Sequence, residues 1–190
     1  IDATMKFPEE LAGRIFSDNN LMSVAASIRK EIISAFPEIK SVNASLCAME
    51  IPVVFVTVQK NRKHHVRGLA HEIFRLPSMS GIKILIFLEP ETDLTFIADA
   101  VWRFANNLDP KRDSIIIPAN RTDEVNHLAF DATRKTKDFD GFERDWPNIL
   151  VSDDATIERI DSIWDKLGLG NFISSPSLRY RNQAYQGGAI

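Results

Sequence analysis

Cysteine is nearly absent from this chain. Cys47 is its single residue of that type, so no internal disulfide can form and a reducing, cytoplasmic setting is expected. Glycine is scarce, with 8 residues in 190. None of them falls in a Gly-x-Gly-x-x-Gly or Walker arrangement, so no glycine-rich phosphate loop is present and nucleotide binding by this segment alone is not expected. No apolar run approaches the roughly 20 residues that a membrane-spanning helix requires. A surplus of positive charge is also missing. Lys+Arg 23 against Asp+Glu 26 give a formal net charge of -3, and the pI near 5.8 argues against an electrostatic nucleic-acid binder. The basic residues cluster once, at Lys60, Arg62, Lys63 and Arg67, and only modestly. The chain begins at Ile1 without a basic, apolar leader, so neither signal peptide nor membrane anchor is expected. A start without methionine fits a fragment cut from a longer protein.

What is present suits a packed domain. With 44% hydrophobic and 26% charged side chains, the composition predicts one globular unit with a sizeable core. Leu21, Val24, Ala25, Ile28, Ile32 and Phe36 recur at helical spacing, and Pro37 ends the run. Ile39 to Leu46 reads as a strand. Pro52 to Val58 is nearly all apolar and β-branched, as a strand covered on both faces would be. Val66, Leu69, Ala70, Ile73 and Phe74 predict a helix, Leu76 to Gly81 a turn, and Ile84 to Leu88 a second buried strand. The next helix is expected to be capped by Asp93 and to turn Leu94, Ile97, Ala98, Val101 and Phe104 or Ala105 inward. Short strands follow at Ser114 to Ile117 and His127 to Ala132. A last helix spans about Asp154 to Leu167, with Ile157, Ile160, Trp164 and Leu167 on one stripe and Gly168 just past its end. This alternation predicts an α/β three-layer sandwich, a mixed central sheet flanked by helices. At the ends, Pro8 sets a turn and Glu9 to Phe16 a short helix, while residues 169–190 show no sustained period. That tail is expected to be ordered only against a partner, with Phe172, Leu178, Tyr180 and Tyr185 as anchors.

The residues that could carry chemistry have plain alternatives. His64, His65, His71 and His127 show no zinc-ligand spacing with an acidic neighbour, so no metal site is expected and helix-surface or helix-start roles suit the first three. Cys47 is expected to be a structural thiol in a turn. The run Asp109, Pro110, Lys111, Arg112, Asp113 reads as a solvated turn. Asp131 follows Ala129 and Phe130, so its carboxylate is expected to be partly buried and to need a partner, which Thr133 or Arg134 can supply. The DATRK stretch is then either a pinned loop or a direct catalytic element.

Several strings in order carry a resemblance: IPVVFVTVQK with the following His65 to Arg75 helix, VWRFANNLDPKRD, DATRK and DSIWDKLGL. From about Leu21 to Gly168 the chain resembles the C-terminal region of the UbiD family of non-oxidative decarboxylases. The resemblance implies a domain organisation of 1–19 as linker or short helix, 20–168 as the UbiD-like α/β domain and 169–190 as a tail that exchanges between subunits. It implies a parent enzyme that uses prenylated FMN and a divalent metal, Mn or Mg. Such enzymes add or remove carbon dioxide at an aromatic or α,β-unsaturated acid such as a polyprenyl-hydroxybenzoate on the way to ubiquinone.

In that family the cofactor, the metal ligands and the Arg/Glu/Glu acid–base set belong to preceding domains, and none of those motifs is visible here. This segment is therefore expected to be inactive and cofactor-free alone, serving its own N-terminal catalytic domain as a lid and the homo-oligomer as an assembly module. An oligomerisation or interaction domain without an active-site contribution is the alternative. Family analogy nominates Met79, Phe104 and Asn107 as substrate-pocket lining and Arg75 for the cofactor phosphate, with Phe104 equally readable as core. Met79, in a turn beside Gly81, is harder to read as core. No catalytic residue is nominated here.

Overall fold

The computed structural model describes residues 21–121 and 124–184, leaving the expected turn at Pro8, the helix at Glu9 to Phe16 and Tyr185 outside the described residues. The chain divides into two compact units, Ile1–Gly141 and Phe142–Ile190.

The first unit is built on a five-stranded mixed sheet. Its strands are β1 (Ile39–Asn43), β2 (Val53–Val58), β3 (Ile84–Leu88), β4 (Ser114–Ile117) and β5 (His127–Asp131), in the order β1-β2-β3-β5-β4. The inner strands β2, β3 and β5 run parallel, while β1 and β4 pair antiparallel at the edges. Parallel pairs require crossovers, and the helices supply them. Among the described residues, the α-helices of this unit are α1 (Leu21–Ala35), α2 (His65–Ile73), α3 (Ile97–Asn107), α4 (Pro110–Asp113) and α5 (Lys137–Asp140).

The sheet has an apolar cluster on each face because the strand period is two and both faces are covered. One cluster joins Val54, Val56, Leu85 and Phe87 to Ile28 and Ile32 of α1 and Leu69 and Ile73 of α2. The opposite one joins Phe55, Ile86 and Leu88 to Ala100 and Phe104 of α3. The expected three-layer α/β sandwich is the observed fold. Thr57, buried in β2, is satisfied across the pair with β1, where its Oγ1 accepts from Ser41 N at 3.0 Å and lies 2.8 Å from Ser41 Oγ.

Several expectations are corrected. The first strand stops at Asn43, not Leu46, because Asn43 Oδ1 accepts from Ser45 N at 2.8 Å and turns the chain into a 3-10 segment, Ser45–Met49. Cys47 in that segment is fully buried and free, and desolvation pushes its thiol up to about 11. Asp93 does not cap α3. It forms a turn with Thr95 N at 2.9 Å, and the helix opens four residues later at Ile97.

Leu94, Ile97 and Phe104 pack into the core as their spacing predicts, but the inner face of α3 differs from the rest of its apolar pattern. Ala98 and Val101 are exposed, while Asp99 and Arg103 are buried. Met79 is fully buried within the α1/α2-side cluster, contrary to the expectation that it resists explanation as core. The cause is the 3-10 turn begun by Pro77, in which Met79 N donates to Leu76 O and Ile82 N donates to Met79 O, both at 2.9 Å.

In the second unit, α6 (Asp154–Ile163) is capped by Asp153, which accepts from Thr156 N at 2.8 Å, and it ends in a 3-10 turn, Trp164–Lys166. Gly168 sits at φ +65, the left-handed conformation that the helix exit requires. Trp164 Nε1 donates to Gly170 O at 3.0 Å, and its ring meets Phe172 edge-on at 5.7 Å. The division between the compact units falls at residues 141/142, and no described strand after β5 joins the sheet.

Candidate functional site

Parallel strands share one carboxyl edge, and in open α/β sheets ligands bind in the crevice outside it. Here each inner strand delivers a charge to that edge. Lys60 lies two residues past β2, Glu89 directly follows β3, and Asp131 closes β5.

The DATRK loop after β5 is held by two sets of contacts. Asp131 Oδ1 accepts from both the backbone N and the hydroxyl of Thr133, forming an Asx turn. Lys135 Nζ is its charge partner at 3.0 Å. Lys135 Nζ also donates to Thr133 O at 2.9 Å and lies 3.5 Å from Asp113, and both of these side chains are 2% exposed. Arg134 contributes its carbonyl, which accepts from Lys60 Nζ at 2.8 Å. Lys60 in turn pairs with Asp140 at 2.7 Å.

The reading of Asp109 to Asp113 as a solvated turn is corrected at Asp113, which is buried, while Arg112 stays exposed. Asp109 caps α4 by accepting from Lys111 N and Arg112 N, which aims Asp113 inward to pair with Arg112 at 2.7 Å. Buried carboxylates need such partners.

A second network lies across the sheet. Arg103 donates to Asp99 Oδ2 at 3.2 Å and Glu89 Oε1 at 3.3 Å, and Asn107 Nδ2 donates to Ala132 O at 3.0 Å and to both Glu89 oxygens at 3.4 Å. Burial pushes the Glu89 carboxyl above its ordinary value of 4.5. Its own backbone N–H, Arg103 and Asn107 oppose the shift, and Glu91 adds to it.

A carboxyl raised in the folded state binds more protons than in the unfolded state. Stability from this group is therefore full below pH 4.5 and lost as pH rises toward the folded value. Glu89→Gln should accordingly gain stability relative to the wild type as pH is raised above 4.5, followed by urea denaturation. A relative gain by the wild type over that range would mean a depressed carboxyl.

The nominated residues do not share one wall. Phe104 is half-buried on the α3 side, edge-on to Phe130 at 5.2 Å, and Asn107 lies in the adjoining Glu89 network. Met79 belongs to the cluster on the opposite face, and Arg75 is exposed just past α2, whose buried residues pack on that same face. His65 takes the expected helix-start place, opening α2, but it is not a surface residue. It is 2% exposed, with Nδ1 accepting from Asn61 N at 3.3 Å, so its protonated Nε2 donates to Glu38 at 3.1 Å. His127 stacks on Phe74 at 4.3 Å.

Sequence reasoning missed Lys60, Glu89, Arg103, Asp113 and Asp140. The one local signal was the Asp99/Arg103 spacing of four residues within a helix. Among the described residues no group of three His, Cys, Asp or Glu side chains can hold a metal ion. With Arg75 and Phe104 also on different faces, the residues present do not fit a flavin and metal centre.

Comparison with known proteins adds the family context. A family model for the 3-octaprenyl-4-hydroxybenzoate carboxy-lyase C-terminal domain, UbiD_C, matches residues 20–137. An uncharacterized protein of Archaeoglobus fulgidus is 26% identical over 141 residues, covering 69% of this chain and 29% of its own length. One from Aquifex aeolicus is 31% identical over 124 residues, covering 60% and 25%. The closed form of Sedimentibacter hydroxybenzoicus vanillic acid decarboxylase aligns with a TM-score of 0.58 at 19% identity, over 76% of this chain and 32% of that one. An evolved dimeric form of the UbiD-class enzyme HmfF from Pelotomaculum thermopropionicum, solved in complex with prFMN, gives 0.53 at 17%, over 80% and 30%. At these identities the likeness to the solved structures is one of fold. The chain spans less than a third of the length of each of these four proteins.

Proposed function

We propose, since this chain belongs to the 3-octaprenyl-4-hydroxybenzoate carboxy-lyase C-terminal domain family, that it serves a UbiD-like decarboxylase as the domain that closes over the catalytic part. The substrate class is an aromatic or α,β-unsaturated acid, with polyprenyl-hydroxybenzoate as one example. Prenylated FMN and its metal belong to the rest of the protein, in keeping with the lack of fit here, and that group supplies the electron sink for the departing carboxylate's electrons. The contribution of this chain is to exclude water and to present a rigid wall.

The observation that carries this reading is the orientation of α3. The helix turns Asp99 and Arg103 toward the sheet and leaves Val101 48% and Trp102 53% exposed, with Phe96 45% exposed just before it. Large apolar side chains are left outward at the core's expense where another surface covers them. The Glu89–Arg103–Asn107 network holds the helix in that orientation and ties it to the carbonyl of Ala132.

Phe104, at the edge of this face, is the residue to test in the full-length enzyme. Because it is only half-buried, Phe104→Ala should cost less than the about 3–5 kcal/mol of a core phenylalanine. It should also change the ratio of kcat/KM for a bulky and a small acid. A large fall in melting temperature with an unchanged ratio would assign Phe104 to the core and remove the lid reading.

A role in assembly has its own support in the second unit, where Phe172 is 56%, Ile173 60% and Leu178 37% exposed. Deleting residues 169–190 should lower the mass seen by light scattering. An unchanged mass would confine the role of this chain to the lid.

A further inference from the structure

The basic cluster of the β2–α2 connection is not used by any of the roles above, and tertiary structure divides it. Lys60 is paired inside the fold with Asp140, and Arg62 lies 4.0 Å from Glu38. Lys63 and Arg67 remain exposed, and they line a cavity of about 430 Å3.

The charged part of that cavity's wall holds five Lys or Arg side chains and three carboxylates, the latter being Asp113, Asp131 and Asp140. Each carboxylate already has its cation. Asp140 has Lys60 at 2.7 Å, Asp131 has Lys135 at 3.0 Å, and Asp113 has Arg112 at 2.7 Å and Lys135 at 3.5 Å. The surplus is Lys63 and Arg67, neither of which forms an ion pair among the described residues.

We propose that this cavity binds a small molecule through a phosphate group, with Lys63 and Arg67 as the cations that hold it. Two unopposed positive charges match a dianion better than a carboxylate. The arginine adds a planar fork of donors and the lysine a point charge. The buried ion pairs form a floor that is already neutralised, so an incoming anion meets no net repulsion there. The start of α2 adds to the field, since its N-terminal turn has no side-chain cap and carries partial positive charge.

Val66, Ile115 and Phe139 complete the wall with apolar surface for the remainder of the ligand. The volume also exceeds what an inorganic ion needs, and it falls in the range of about 300–1,000 Å3 usual for small-molecule pockets.

The test uses the 190-residue chain and inorganic phosphate, followed by amide NMR at pH 7 and constant ionic strength. Saturable shifts are expected at Val66, Arg67 and Lys135, with acetate binding at least about tenfold more weakly. The Lys63→Ala/Arg67→Ala double variant should lose phosphate binding by about tenfold or more with an unchanged circular dichroism spectrum. Both side chains are exposed, so folding does not depend on them. Lys30→Ala, an exposed charge on α1, serves as the control and should bind as the wild type does. Undiminished phosphate affinity in the double variant, acetate binding as tightly as phosphate, or an equal loss in Lys30→Ala would each overturn the proposal.

Discussion

Replacing Arg103 by alanine is expected to destabilise the first unit by about 3–5 kcal/mol, the usual cost of breaking a buried ion pair by removing one partner. Arg103 is 3% exposed and holds two carboxylates, those of Asp99 and Glu89. Asp99 is 4% exposed, and its Oδ1 has no hydrogen-bond partner among the described residues. Without the guanidinium, that charge is left in apolar surroundings beside Ala100. Glu89 keeps only the Asn107 amide among its side-chain partners.

A loss of this size is a large fraction of the about 5–15 kcal/mol that holds a domain together. Urea denaturation at pH 7 measures it directly. A loss under about 1 kcal/mol, the value of an exposed pair, would show that water reaches the network. The proposed lid would then lose the feature that fixes the orientation of α3.

Met79→Ala should be nearly as costly, about 2–5 kcal/mol, for a different reason. The side chain is fully buried, and its removal leaves a cavity that the surrounding sheet and helices cannot collapse to fill. Because Met79 and Phe104 sit in clusters on opposite faces of the sheet, the change should leave substrate preference in a full-length enzyme untouched. Thermal unfolding of the variant and the kcat/KM ratio for two acids separate the possibilities. An intact melting temperature with an altered ratio would return Met79 to the pocket wall that the resemblance suggested.

The layered fold was legible in the residues because the signals for it are local. Strands at Val53–Val58 and Ile84–Leu88 follow from short, nearly continuous apolar runs, and the helix ending at Ala35 follows from apolar spacing and Pro37. The family was legible too, and three of the four strings that carried the resemblance fall within residues 20–137, which the family model matches. Asp131 was recognisable as a carboxylate in need of a partner because its neighbours Ala129 and Phe130 are apolar, and Thr133 is indeed one of its partners.

What tertiary structure alone decided is which charges meet. Lys60 finds Asp140 across 80 residues of sequence, and Lys135 finds Asp113 on an element that precedes the neighbouring edge strand. No periodicity announces pairs so far apart. The same long-range pairing changed part of the expected inner face of α3: Ile97 and Phe104 pack inward as their spacing predicts, but Val101 is exposed, and once Glu89 stands at the end of β3, Arg103 is buried against it and Asp99. Buried electrostatics depends on distance in space, which folding sets, while helix and strand formation depends on neighbours along the chain, which the sequence already contains.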